Sequence, residues 1–222
     1  MIPVSIVIVI YARWISDATT VFYALFRMFV QLILIGYVLI YLFDTKSPYL
    51  VVFVLCVMLI ASSIISLRPL QKKDKVLYFR AFIAIAVGGI FTLIVVFAGV
   101  LDLTLWYEPR FLIPLSGMIF ANSMNSVSVA AERFESEMNR KNSYTDARAL
   151  SYKAALIPVI NALFAVGLVS LPGMMTGQIL SGVDPLIAVR YQIMVMLMIL
   201  GSSGISTAIY LVLLRKSSLT IK

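Results

Sequence analysis

Between Leu156 and Asp184 the chain runs for about the 20 residues of a bilayer crossing, or more, without a charged side chain. Few features constrain a fold more, because hydrocarbon admits only helices that pair their own backbone groups, or closed barrels. The run ends in Leu168-Val169-Ser170-Leu171-Pro172-Gly173-Met174-Met175-Thr176-Gly177-Gln178-Ile179-Leu180-Ser181-Gly182-Val183-Asp184-Pro185. Pro172 removes a backbone donor and disfavours helix at Leu171, while Gly173, Gly177 and Gly182 permit close backbone packing or positive φ. Such irregularity is tolerated at membrane depth only where protein buries it or a cavity adjoins it. Pro172, Gly173 and Gly177 therefore mark a helix break and a candidate gate.

The other apolar runs have similar length, and 62% of all residues are hydrophobic against 13% charged. A β-barrel would alternate over segments of about ten residues, whereas here both faces of each segment are apolar over helical lengths. The expected class is all-α, a polytopic transmembrane helix bundle forming a single transmembrane domain over residues 1–222. About seven crossings are expected: Ile2 to Trp14, Val21 to Phe43, Leu50 to Leu67, Phe79 to Leu101, Phe111 to Ala131, Ala154 to Leu171 and Pro185 to Leu214. The first is short for a span, but no basic segment precedes it and no small-residue cleavage site follows it, so it does not read as a signal peptide.

Charge placement orients such a bundle. One set of span ends collects Arg13, Arg27, Arg68, Lys72, Lys73, Lys75, Arg80, Arg133, Arg140, Lys141, Arg148, Lys153, Arg215, Lys216 and Lys222; the other collects Lys46, Arg110 and Arg190. The positive-inside rule makes the rich set cytoplasmic, placing the amino terminus outside and the carboxyl terminus inside. The net charge of +8 is thus a topology signal. Because these charges flank spans and do not form one aromatic-interleaved patch, nucleic acid is not an expected partner, whereas membrane lipid is.

Absences narrow the chemistry. The sequence has no histidine and one cysteine, Cys56, inside a span, which removes haem ligation by His, a zinc-protease site and a disulfide framework. No G-x-x-x-x-G-K-[ST] loop is present, so the chain is expected to bind no nucleotide itself and to be no enzyme.

A charged segment at residues 132–153, ERFESEMNRKNSYTDARALSYK, is expected on the cytoplasmic side. Ala131 to Arg140 extends the fifth span, Lys141-Asn142 is a break, and Ser143 or Thr145 can cap a new helix. A short helix here would lie across the cytoplasmic face with Tyr144, Ala147, Leu150 or Ser151, and Ala154 on its apolar side, and Asp146, Arg148 and Lys153 around it. Two readings are open: a solvated or interfacial connector, and a docking helix for a cytoplasmic partner.

The stretch AALIPVINALFAVGLVSLPGMMTGQILSGVDPLIAVRYQIMVMLM from Ala154 to Met198 resembles the signature of the FetB (YbbM) permeases. These are membrane subunits of a bacterial ATP-binding-cassette transporter with plant aluminium-tolerance relatives. The resemblance extends through Arg27-Met28-Phe29-Val30-Gln31-Leu32-Ile33-Leu34-Ile35-Gly36-Tyr37-Val38-Leu39, and through Pro114-Leu115-Ser116-Gly117-Met118-Ile119 toward Asn122, Asn125 and Glu132-Arg133. It implies a homodimeric permease that exports metal, with iron named for the bacterial prototype, and that pairs with a separate subunit carrying ATP and Mg. It also implies that Ser143, Tyr144, Asp146, Ala147, Arg148, Leu150 and Lys153 belong to a coupling helix.

Candidate path residues follow from spacing. Met118, Asn122, Asn125, Val129 and Glu132 recur at intervals of three and four and share one helical stripe, which should face protein or water because amides and a carboxylate are costly toward lipid. Path lining and helix-to-helix hydrogen bonding are both open, with Gly117, Ala121 and Ser128 as a neighbouring contact face. Asn161 is a further interior polar candidate. Met174 and Met175 beside the break, and Met194, Met196 and Met198 on the last span, offer soft thioethers or adaptable packing. Ferrous iron takes imidazole, carboxylate or carbonyl oxygen, yet the span-adjacent acids are Asp102, Glu108, Glu132 and Asp184, so the metal ligands are left unassigned. Asp184 and Pro185 suit the cap and first residue of the last helix, and Gly201, Gly204 and Ala208 suit a packing seam on it. The alternative function is a partner-independent secondary carrier or channel, for which repeats and an intramembrane ionisable relay would be expected.

Overall fold

The computed structural model describes residues 2–15, 18–44, 47–71, 74–100 and 107–218. Lys46, Lys72, Lys73, Asp102 and Lys222 from the charge and ligand arguments, and Leu101 at the expected end of the fourth span, lie outside the described residues. Eight helices follow in order: α1 (Ile2–Ile15), α2 (Ala18–Asp44), α3 (Pro48–Ser66), α4 (Lys75–Gly99), α5 (Pro109–Asn139), α6 (Tyr144–Ala165), α7 (Gly173–Leu180) and α8 (Pro185–Ser218). By length and composition, four helical stretches among the described residues can cross a membrane: Thr19–Phe43, Pro48–Ser66, Lys75–Gly99 and Pro185–Arg215. The helices α5 and α6 fall outside that set: the apolar stretch of α5 is interrupted by Pro114, Asn122, Asn125 and several serines, and α6 joins an apolar stretch to a charged start.

The chain divides into two compact units, Met1–Leu50 and Val51–Lys222. In the first, α1 packs on α2, and both present large apolar side chains outward, among them Phe26, Ile33 and Tyr37. In the second, α8 is the hub, packed against α4, α5, α6 and α7, while α5 also packs on α4 and α6.

Small residues hold this second unit together. Ser62, Ser63, Ser66, Thr92, Ser116, Ser123, Ser126, Ser151, Ser202, Ser203, Ser206 and Thr207 are all buried. Several hydroxyls turn back onto carbonyls of their own helix, as in Ser63 to Leu59 O (2.8 Å), Thr92 to Gly88 O (2.7 Å) and Ser151 to Ala147 O (2.6 Å). A hydroxyl satisfied in this way needs no partner and leaves a thin helix surface, so neighbouring backbones come close and gain dispersion contact. Among these small hydroxyls, Ser206 Oγ on α8 bonds across to Ser123 Oγ on α5 at 3.2 Å. Gly88 and Gly89 on α4 complete the seam. A Cβ on Gly88 would run into Ser206, and one on Gly89 would lie 2.8 Å from the Phe120 ring.

The surface of α8 packed inside this unit lies beside the expected seam of Gly201, Gly204 and Ala208, which are half-buried. A Cβ at Gly201 would meet open space and one at Gly204 would meet the Tyr152 hydroxyl at 3.2 Å, while the buried surface is Ser202, Ser203, Ser206, Thr207, Tyr210 and Leu211. The hydroxyl residues occupy the close approach because back-bonding lets them act as small apolar groups.

Capping follows the sequence chemistry. Ser143 Oγ accepts from Asp146 N at 3.1 Å and donates to Asp146 Oδ2 at 2.6 Å, which starts α6 after a turn through Lys141 at φ 63°. Asp184 Oδ1 accepts from Leu186 N at 2.8 Å, with Pro185 as the first residue of α8.

Two expectations are corrected. The segment after Ser143 is not a separate short helix across one face. It is the beginning of α6, which continues unbroken to Ala165 because no residue between Tyr144 and Ala154 interrupts the ladder. The sixth apolar run also leaves the helix at Ala165 and not at Leu171. The backbone turns through Gly167 at φ 82°, whose N–H bonds Ser170 O at 3.0 Å, before Pro172 caps α7.

Candidate functional site

Two features of the Val51–Lys222 unit concentrate chemistry, at opposite ends of α5. At the Pro109 end is a pocket of about 270 Å³ among α5, α7 and α8. Met118 of α5, Met174 of α7 and Met194 of α8 line it together with Gln178, Tyr191 and the exposed Arg110. The Gln178 side-chain oxygen is buried there without a hydrogen-bond partner among the described residues. The short helix α7 creates this arrangement. Pro172 sets its start, Gly182 at φ 89° turns the chain after it, and Met174 is brought against α5 and α8. Met175, the next residue, lines a different cavity of about 320 Å³ with Met196 and Gln192.

At the other end, the α5–α6 elbow is clasped by a buried carboxylate. Glu137 is 2% exposed, lies 2.6 Å from Arg133 Nη2 and 4.0 Å from Arg140 Nη1, and accepts a short hydrogen bond from Asn142 Nδ2. Tyr144 carries the elbow onto α8, its hydroxyl donating to Leu211 O at 2.9 Å. Phe134 meets the Tyr144 ring edge-on at 5.9 Å between centroids, and the Arg148 guanidinium lies 5.6 Å from the same ring centre. Removing the hydroxyl in Tyr144→Phe should lower stability by about 1 kcal/mol, the net worth of one such bond. The check is a thermal melt of the purified chain in detergent, where an unchanged midpoint would remove the Leu211 contact from the account.

The structure sorts the expected site residues into three groups. Met118 and Met174 meet in the pocket. Asn122 is half-buried and its amide turns back to Met118 O at 2.8 Å, while Asn125, Val129 and Glu132 are exposed, as is Asn161 on α6. The stripe therefore lies on the outside of its unit, and the buried polar side of α5 is Ser116, Ser123 and Ser126. On the neighbouring face, a Cβ at Gly117 would lie 3.2 Å from Met58 Cε of α3, Ser128 is half-buried and Ala121 is exposed. At the break, Pro172 is half-buried, while a Cβ at Gly173 or Gly177 would meet nothing within 4 Å and neither glycine has positive φ.

Along the start of α6, Ala147 and Ser151 are buried and Tyr144 is half-buried. Asp146, Arg148, Leu150 and Lys153 are exposed, so Ser151 and not Leu150 completes the packed side. Glu137 was the functional candidate missed. Its signal was the spacing Arg133, Glu137, Arg140, which places two cations one turn to either side of a carboxylate.

An all-helical chain with several spans of membrane-crossing length, helices joined through small residues and a pocket between them is a multi-pass membrane protein. The chain belongs to the uncharacterised protein family UPF0014, whose profile matches residues 1–219. It is 34% identical over 204 residues to the probable iron export permease protein FetB of Escherichia coli K12, covering 82% of this chain and 75% of that one. It is 33% identical over 218 residues to the membrane protein YjkA of Bacillus subtilis, covering 89% and 84%. It is 29% identical over 216 residues to ALUMINUM SENSITIVE 3 of Arabidopsis thaliana, covering 90% and 78%. No solved structure matches the chain.

Proposed function

We propose that this chain is the membrane-spanning permease subunit of an ATP-binding-cassette transporter that exports metal ions, with iron as the cargo named for the Escherichia coli relative. The observation that carries the reading is the 34% identity to that relative across four fifths of this chain. In this reading the chain binds no cofactor itself and ATP with Mg resides on a cytoplasmic partner subunit. The permease crosses a bacterial inner membrane about seven times, with its amino terminus outside and the elbow and carboxyl terminus in the cytoplasm. Clustered basic residues at the elbow support that orientation.

The elbow supports the coupling role. Its inner side is fixed by Glu137, Tyr144, Ala147 and Ser151, while Leu150 and Lys153 face outward, so a force on the exposed side would move α5, α6 and α8 as one body. The exposed amides support a homodimer. Asn125 lies about 22 Å along α5 from the elbow and Asn161 about 27 Å along α6, so two adjacent helices expose amides at similar depth. Hydrocarbon is a poor environment for both, and a second copy or a water-filled path would satisfy them.

The test is reconstitution with the ATP-binding subunit and measurement of ATP hydrolysis with and without the permease. Stimulation is expected, and Leu150→Glu should reduce it several-fold while leaving membrane insertion and melting intact, because Leu150 is outside the fold's packed surface. Stimulation that is absent in the parent chain would move the reading to a self-sufficient carrier or channel. Full stimulation in Leu150→Glu would remove the start of α6 as the docking surface.

A further inference from the structure

We infer that the pocket lined by Met118, Met174 and Met194 is a binding site for a soft monovalent cation, Cu(I) or its analogue Ag(I). Met118 of α5, Met174 of α7 and Met194 of α8, distant in sequence, all line one cavity of about 270 Å³. Thioether sulfur is a neutral, polarisable donor that selects Cu(I) over hard or borderline ions. No carboxylate lines the cavity, and no group of three or more His, Cys, Asp or Glu side chains suited to a metal is present among the described residues. A hard ion such as Al(III) would therefore find no anionic oxygen in this pocket.

Gln178 is the second, independent observation. Its buried oxygen lacks a partner among the described residues, an unfavourable state for a polar atom unless something in the pocket fills that role. A bound cation would do so, with the amide oxygen beside three sulfurs. Arg110, the one charged residue in the lining, is exposed, so its guanidinium can extend into the aqueous rim away from the thioethers. The neighbouring cavity with Met175 and Met196 offers two thioethers in place of three and serves as an internal comparison.

This inference concerns binding by the permease alone and does not rest on ATP coupling. The experiment uses the full purified chain in detergent without ATP or partner, carrying Cys56→Ser throughout because Cys56 is an exposed thiol that would bind the same ions. Ag(I) is titrated calorimetrically, and Cu(I) is partitioned against a chromophoric chelator. One tight ion per chain is expected. Met118→Leu/Met174→Leu/Met194→Leu, which nearly conserves volume, should weaken it by more than the roughly 10- to 100-fold that loss of an outer-shell partner costs. Met175→Leu/Met196→Leu should leave it unchanged, and X-ray absorption on the Cu(I) form should show sulfur neighbours that the triple variant lacks. Equal affinity in the triple variant, or no tight ion in the parent, would overturn the assignment. Neither result depends on whether the partner subunit is stimulated.

Discussion

Gly88→Val is expected to abolish the folded yield of the chain, and Gly88→Ala to lower its melting temperature by several degrees. A Cβ at this position runs into Ser206 Oγ and lies 2.8 Å from the Ser206 amide nitrogen and 3.1 Å from its Cα. Two of those three atoms are backbone, so no side-chain rotation relieves the overlap. The helices α4 and α8 must separate along the most extensive helix contact of the molecule, at a cost of about 1–3 kcal/mol for the first methyl and more for a branched side chain. The Ala variant isolates the packing effect. In an open helix interior the same change would stabilise by roughly 0.5–1 kcal/mol, because glycine loses more backbone freedom on folding. Gly36→Ala, where a Cβ meets nothing within 4 Å, is the matched comparison and should melt no lower than the parent. Adding Ser206→Ala to Gly88→Ala should recover part of the loss, since it removes the nearest atom but also the hydrogen bond to Ser123. Equal melting of the parent and Gly88→Ala in detergent would show that α4 and α8 do not approach at this point.

The seam was partly legible as sequence. The pair Gly88-Gly89 inside a long apolar helix is a signal that packing compensates for lost propensity, and residues 201–207 read Gly-Ser-Ser-Gly-Ile-Ser-Thr. Sequence periodicity groups residues onto one face of a helix but does not say which face turns inward. On α5 the stripe of Asn122, Asn125 and Glu132 lies on the outer side of this unit, and the buried polar side is Ser116, Ser123 and Ser126. The serines opposite are more compatible with burial, because a back-bonded hydroxyl consumes its own polarity while a carboxamide has donors and acceptors left over. Local chemistry was more readable. The caps at Ser143 and Asp184 depend only on neighbouring residues, as does the irregularity around Pro172. The pocket was not readable as a unit. Met118, Met174 and Met194 are separated by long stretches of sequence, and only the packing of α7 between α5 and α8 brings them to one cavity.

Glu137 is where stability and proposed coupling meet. A carboxylate in the last turn of α5 faces the negative end of the helix dipole and is there at a disadvantage. It is retained in buried form because Arg133, Arg140 and Asn142 converge on it. Glu137→Leu should remove about 1.5–3 kcal/mol, the range for hydrogen bonds to a charged group, with the lower end favoured because Arg133 is 40% exposed and partly screened. Glu137→Gln can still accept from Asn142 and should retain more of the stability than the leucine variant. If the elbow also transmits force from an ATP-binding subunit, Glu137→Leu should reduce stimulated ATP hydrolysis by more than its melting shift predicts. The reason is mechanical: the bond to Asn142 ties the end of α5 to the residue that precedes the α6 cap, and Tyr144 then ties α6 to α8. Without the carboxylate, displacement of Leu150 can be absorbed in the turn at Lys141 before it reaches the spans. Melting and ATP hydrolysis should both be measured on parent, Gln and Leu forms. Full stimulation in a destabilised Glu137→Leu chain would leave Glu137 a structural clasp with no part in coupling.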